Sequence, residues 1–306
     1  MKIGTGAIVP IRTFGLEKGL EVLAEAGFEA IDYGLPEVKK PEILQESDEV
    51  IAAYYADVRK KVEQNNLYVN QTHAPTPTFS EEWDNRLVFD TLRKGILASS
   101  VLGAKYMVFH PVTVTQSEDG TFLPQIYEKN RKVCKAANVE FFSRMIPYLE
   151  EYNVKAAIEN IWIYNRYQPG RVLAPTICSD PYDLADCVDK LNAMCKNGDR
   201  FVACLDVGHA NICCRHMSMR EVVNVLGHRL EVLHVHDNNG LDDLHIAPFL
   251  GNVDWESFCL GLKDIDYQGV FNFETAFYRK VEPELIPAEQ AFLCQIARHF
   301  GEKYGL

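Results

Sequence analysis

Short apolar runs alternate with longer helical-period segments along the whole chain, and no other feature of the sequence restricts the fold so strongly. Lys2–Ala7, Ala30–Gly34, Tyr68–Thr72, Tyr106–His110, Lys155–Asn160, Phe201–Asp206, Leu230–His236 and Gly269–Glu274 read as strands. Gly15–Ala26, Asp48–Gln64, Glu82–Leu102, Tyr127–Glu151, Pro181–Asn192, Ser218–Leu226, Trp255–Leu262 and Ala288–Lys303 carry the period of amphipathic helices. Ser218 stands three residues before Glu221, the spacing of a capping box. Strict alternation of this kind requires parallel strands joined by crossover helices, and eight such units without a linker fit a closed sheet better than an open one. The expected fold is therefore α/β, a (β/α)8 TIM barrel forming a single domain over residues 1–306.

A barrel of this type carries its chemistry on the C-terminal ends of its strands and in the βα loops. Polar, ligand-type residues fall there repeatedly: THAP supplies His73, VFHP His110, AIEN Glu159, CLDVGHAN Asp206 and His209, LHVHD His234 and His236, and FNFET Glu274. The loop beyond His236 adds Asp243 and His245. A single histidine at a strand end is commonly a hydrogen-bonded structural residue. Six of the nine histidines at or just past strand ends is a different matter, since random scattering rarely gives it. Glutamates that follow apolar strands, as in AAIEN and FNFE, are also costly at the rim of a core unless they have partners.

Alternate residues of a strand share a face, so His234 and His236 point the same way, with His234 the deeper and His236 at the rim. On that geometry Glu159, Asp206, His234 and Glu274, from the fifth to eighth strands, can converge on one cation. Three carboxylates and one imidazole favour Mn2+ or Mg2+ ahead of Co2+, with Zn2+ gaining ground if more imidazoles join.

Composition narrows the partners. A net charge of -12 disfavours nucleic acid, whose binding rests on phosphate neutralisation by Lys and Arg. The nine cysteines are scattered and lack C-x-x-C spacing, so neither a disulfide framework nor a thiolate zinc site is expected. MKIGTGAIVPIRTFG does not read as a secretory signal, and no apolar run reaches the roughly 18 residues of a spanning helix. A cytoplasmic location without membrane association is the expectation, with homo-oligomerisation left open.

THAP, FHP, IEN, LDVGH, LHVHD, the D-x-H of Asp243 and His245, and the final FET together resemble, in order and strand position, the xylose isomerase-like TIM-barrel superfamily. That group includes sugar and sugar-phosphate isomerases and epimerases, inosose dehydratase-like lyases and endonuclease IV. In its isomerase and epimerase branch, the resemblance implies one divalent metal, usually Mn2+, held by Glu159, Asp206, His234 and Glu274. It also implies that Glu159 and Glu274 are the acid/base pair and that His209 contacts substrate. The implied activity is isomerisation or epimerisation of a sugar or sugar phosphate by proton transfer beside a carbonyl, through an enediolate.

Two other classes fit the same residues. His73, His110, Glu159, Asp206, His209, His234, Asp243, His245 and Glu274 also resemble the nine ligands of endonuclease IV's trinuclear zinc site, which implies a phosphodiesterase. A metal-dependent lyase or dehydratase acting on a sugar-like polyol is the third. The loop sequences GLPEVKKPEILQES and APTPTFSEEWD are mixed or acidic, whereas WIYNRYQPGR offers Trp162, Tyr164, Arg166, Tyr167 and Arg171 to a polyhydroxylated ligand. On the sugar reading, His73, His110, His209, His236, Asp243, His245, Trp162 and Arg166 bind substrate. Asn238, Asn239 and Gly240 stand where free-ketose 3-epimerases of this superfamily tend to carry an Arg, which argues against that specific activity.

Overall fold

The structure is a computed structural model and describes residues 1–36, 42–75, 86–112, 127–164, 173–175, 177–275 and 282–306. Ten strands appear among the described residues: β1 Lys2–Gly6, β2 Ala30–Gly34, β3 Tyr68–His73, β4 Tyr106–Phe109, β5 Lys155–Glu159, β6 Trp162–Tyr164, β7 Leu173–Pro175, β8 Phe201–Asp206, β9 Leu230–His234 and β10 Val270–Phe273. Eight of them form one parallel sheet in the order β10-β1-β2-β3-β4-β5-β8-β9. The sheet closes where Val235 pairs in parallel with Phe273. At that seam the Val235 amide donates to the Asn272 carbonyl (2.8 Å) and the Glu274 amide to the Val235 carbonyl (3.0 Å). The chain is thus a (β/α)8 barrel, and its closing seam lies between His234 and Glu274.

Helices wrap the barrel: α1 Ile8–Phe14, α2 Leu16–Ala26, α3 Asp48–Gln64, α4 Arg86–Leu102, α5 Tyr127–Ser143, α6 Ile146–Glu151, α7 Pro181–Asn192, α8 Val207–Cys213, α9 Met219–Leu226, α10 Trp255–Asp264 and α11 Ile286–Tyr304. Local chemistry explains their limits. In α3, Ser47 caps the Val50 amide, Asp48 and Glu49 meet the positive end of the dipole, and Ile51, Tyr55, Val58 and Val62 form the buried stripe. The capping box of Ser218 and Glu221 is present at α9. Tyr127–Glu151, which reads as one helix in sequence, is broken between Ser143 and Ile146. Pro147 has no amide proton to donate four residues back to Ser143, so a second helix starts with the proline in its first turn.

Three short elements were not anticipated: α1, α8 and the antiparallel β6–β7 hairpin. The expected helix start at Glu82, the loop APTPTF beyond Pro75, and most of YQPGRVLAP lie outside the described residues.

Apolar packing occurs in two places. A large shell between sheet and helices includes Phe109, Phe142, Phe201, Phe271 and Phe300. A smaller cluster of Tyr106, Val108, Ala157, Val202, Cys204 and Val232 is separate from it. At the strand starts, Glu231 accepts from Lys155 Nζ (2.6 Å), Tyr106 Oη (2.7 Å) and Lys105 Nζ (3.0 Å). This pairs the carboxylate at the end of the barrel away from the site. No helix among the described residues is long and apolar enough to cross a membrane.

Among the described residues, one buried carboxylate has no hydrogen-bond partner on either oxygen. It is Glu289 of α11, which is 7 % exposed. Burial pushes its carboxyl up to about 7 from an ordinary 4.5. The folded state therefore holds this proton more tightly than the unfolded chain. Its contribution to stability is complete below pH 4.5 and is lost as pH rises toward 7. Glu289→Gln is expected to melt on the order of 2–4 °C higher than wild type at pH 8 and to show no such gain at pH 4.5; thermal melts at both pH values check this.

Candidate metal and catalytic site

The histidines and carboxylates singled out in the sequence line or border a single cleft at the C-terminal mouth of the barrel. The cleft has a volume of about 540 Å3, and its walls include Asp32, His73, His110, Glu159, His209, Asp243, His245 and Glu274. Trp162 is partly buried beside it, its ring centroid 6.3 Å from that of His209. Arg166, Tyr167 and Arg171 lie outside the described residues.

Strand ends deliver the carboxylates. Glu159 terminates β5, Asp206 terminates β8, and Glu274 follows β10 directly. Asp206 also caps α8, accepting from the His209 amide at 2.7 Å, so one residue sets both itself and the next site histidine. Asn160 braces it from β5: its Oδ1 accepts from the Asp206 amide (2.6 Å), and its Nδ2 donates to the Asp206 carbonyl (2.9 Å).

The donor atoms fall into three groups, each within 4.8 Å internally: Glu159, Asp206, His234 and Glu274; His73, His110 and Glu159; and His209, His236, Asp243 and His245. Glu159 belongs to two of them. Its Oε1 lies 3.1 Å from His234 Nδ1, while its Oε2 lies 3.1 Å from His110 Nε2 and 3.7 Å from His73 Nε2. Oε2 is buried and receives no hydrogen bond, a costly state for an isolated carboxylate oxygen. Glu274 Oε2 completes the first group at 3.1 Å from His234 Nδ1.

Main-chain carbonyls fix the imidazoles. A carbonyl only accepts, so Nδ1–H donates to Ala74 O in His73 (3.1 Å), to Asn160 O in His209 (2.8 Å) and to Glu274 O in His245 (2.9 Å). In each case Nε2 is the nitrogen left for the cluster: 3.7 Å from Glu159 in His73, and 3.4 and 3.1 Å from Asp243 in His209 and His245. An imidazole pinned on one nitrogen with the other turned toward carboxylates is the usual arrangement of a metal ligand. The orphaned Glu159 oxygen, the clustered carboxylates and these oriented rings fit a divalent cation.

Electrostatics point the same way. Burial alone would raise the carboxyls and lower the imidazoles, but mutual attraction reverses both. Against burial, His234 and His110 hold the Glu159 carboxyl well below the usual range, and His234 does the same to Glu274. Burial is likewise outweighed at His209 by Asp206 and Asp243, and at His234 by Cys204, Glu274 and Glu159, so both rings are raised. His245, hydrogen-bonded to Asp243, is pushed up to about 9. The carboxylates that hold these protons create the negative field a cation would enter.

Two features depart from the sequence reading. His236 is wholly buried rather than at the rim, because His245 stacks over it with centroids 3.9 Å apart and planes 15° apart. Its Nε2 sits 2.9 and 3.0 Å from the two oxygens of Asp206. Room for the ring comes from Gly208, where any Cβ would run into it. Asp32, in the middle of β2 in AIDYG, was not singled out, yet it lines the cleft and meets His234 Nε2 at 3.2 Å. The signal was available, since it is a carboxylate in an otherwise apolar strand, as Glu159 is at the end of its own.

Fold and site together define a (β/α)8 barrel with a carboxylate- and imidazole-lined mouth competent to bind metal. The chain belongs to the xylose isomerase-like TIM barrel family, whose model matches residues 20–296. It is 25% identical over 283 residues to an uncharacterised protein of Methanocaldococcus jannaschii, covering 90% of this chain and 83% of that one. Among solved structures, a D-tagatose 3-epimerase-like protein superposes with a TM-score of 0.69 at 21% identity, over 100% of this chain and 98% of the other. The IolI protein with a bound zinc atom superposes at 0.67 with 18% identity, over 99% of each chain. These likenesses show the shared barrel.

Proposed function

We propose that the protein is a divalent-metal-dependent isomerase or epimerase of a sugar or sugar phosphate, moving a proton at the carbon beside a carbonyl. The observation that carries this reading is the convergence of Glu159, Asp206, His234 and Glu274 within 4.8 Å at a cleft large enough for a sugar, with Glu159 and Glu274 in its wall and Asp206 and His234 fully buried beside them. The names of the structural neighbours, a D-tagatose 3-epimerase-like protein and a zinc-bound barrel, support it. These four residues would hold the cation, with Mn2+ ahead of Mg2+, Co2+ or Zn2+. When bound, it would supply Lewis-acid stabilisation of the charge that develops on the substrate carbonyl oxygen.

The chain's own groups divide the proton work. Glu159, almost sealed from solvent and held ionised by its imidazoles, is the base that removes the proton and leaves an enediolate. Glu274, whose side chain is 33% exposed to the cleft, can exchange protons with water and return one on the other face, giving epimerisation. Return by Glu159 to the neighbouring carbon gives isomerisation. His209, Asp243, His245 and Trp162 are left to orient hydroxyl groups and the apolar face of the ring. The test is incubation of a sugar panel in D2O with Mn2+. Deuterium is expected at the carbon next to the carbonyl of the true substrate, and its absence across a broad panel contradicts the reading.

A second reading has its own observation. The two further donor groups, His73 with His110 and Glu159, and His209 with His236, Asp243 and His245, would suit a trinuclear phosphodiesterase. It predicts three zinc ions per chain by elemental analysis and nicking of abasic duplex DNA. One ion per chain and intact duplex support the sugar reading.

A further inference from the structure

His234 differs from the other site histidines in what holds it. His73, His209 and His245 are each pinned by a main-chain carbonyl on Nδ1 and direct Nε2 inward. His234 has the opposite polarity. Its Nδ1 faces Glu159 Oε1 and Glu274 Oε2, each at 3.1 Å, and its Nε2 faces a carboxylate, Asp32 Oδ2, at 3.2 Å. Two strands, β10 and β1, separate β9 from β2 around the barrel, so this contact crosses the interior.

Asp32 is itself held. Gln71 Nε2 donates to the same Oδ2 at 3.0 Å, and Asn70 Nδ2 donates to Gln71 Oε1 at 3.1 Å. His234 and Gln71 are fully buried, and Asp32 is 6 % exposed. A buried carboxylate with two directed donors has little freedom to turn away.

Resting on the metal reading above, we propose that Asp32 is a positioning residue that presents Nδ1 of His234 as its metal-binding atom. Accepting the Nε2 proton fixes the tautomer, orients the ring and makes Nδ1 more basic, as an outer carboxylate does for a metal-bound imidazole. A direct role in binding substrate would leave the metal affinity untouched. A purely packing role would leave the metal's electronic surroundings untouched.

Asp32→Asn keeps the shape and removes the charge. Titration with Mn2+ against a fluorescent chelator is expected to show about 10–100-fold weaker binding than wild type. The visible absorption spectrum of the Co2+-loaded variant is expected to differ from that of Co2+-loaded wild type. Wild-type affinity together with an unchanged Co2+ spectrum overturns the inference while leaving the metal reading standing. Failure of the wild type to bind Mn2+ overturns both. If Asp32→Asn does not fold, Gln71→Met, which removes only the donor that steadies Asp32, decides in the same assays: a several-fold loss supports the inference, and no loss overturns it.

Discussion

Glu159→Gln is expected to abolish measurable exchange of the substrate's labile hydrogen with D2O while leaving the barrel folded. Loss of a positioned base typically costs about 10²–10⁴ in rate, and this residue also loses its place in two donor groups. Glutamine retains the volume and one acceptor oxygen, so the apolar packing around β5 is preserved. Its amide protons, however, would be directed at His234 Nδ1 or His110 Nε2, where the wild type presents carboxylate oxygens at 3.1 Å. The barrel should stay folded in thermal melts without metal, while exchange followed by proton NMR disappears. A variant that exchanges at the wild-type rate would remove Glu159 from the proton path.

Stripping divalent cations with a chelator is expected to eliminate activity and to lower the melting temperature, with both restored by Mn2+. A ligand that binds only the folded state at 100 times its Kd stabilises by roughly 2.7 kcal/mol, enough to shift a melting curve visibly. The effect has a pH sign. The surrounding carboxylates hold a proton on His234 above its ordinary range, and a ring nitrogen must lose its proton before it can bind metal. Affinity should therefore rise with pH, and binding should release protons into a weakly buffered solution. Calorimetry in two buffers of different ionisation enthalpy measures that release. Full activity after exhaustive chelation would contradict the metal reading.

Much of this architecture was legible in the sequence because one periodicity governs it. Eight apolar runs mark the eight barrel strands, and their ends mark the mouth, so Glu159, Asp206, His234 and Glu274 could be placed together from four distant segments. What escaped has physical reasons. The seven residues of α8 are too few to display a helical period, although the Asp206 cap begins them. Pro147 sits inside an otherwise continuous helical pattern, and where the chain breaks there depends on tertiary packing. The burial of His236 depends on Gly208, a residue of α8 whose lack of a side chain matters only once the two are in contact. Asp32 could have been found by the reasoning that found Glu159, but its partner His234 lies 202 residues away.

That distant strand ends assemble one cation site is the claim from which the base, the metal dependence and the role of Asp32 all derive. Anomalous diffraction from crystals soaked in Mn2+, recorded near the manganese edge, locates the ion directly. The account predicts a peak within bonding distance of Glu159, Asp206, Nδ1 of His234 and Glu274, and a peak elsewhere, or none in the barrel mouth, would contradict it.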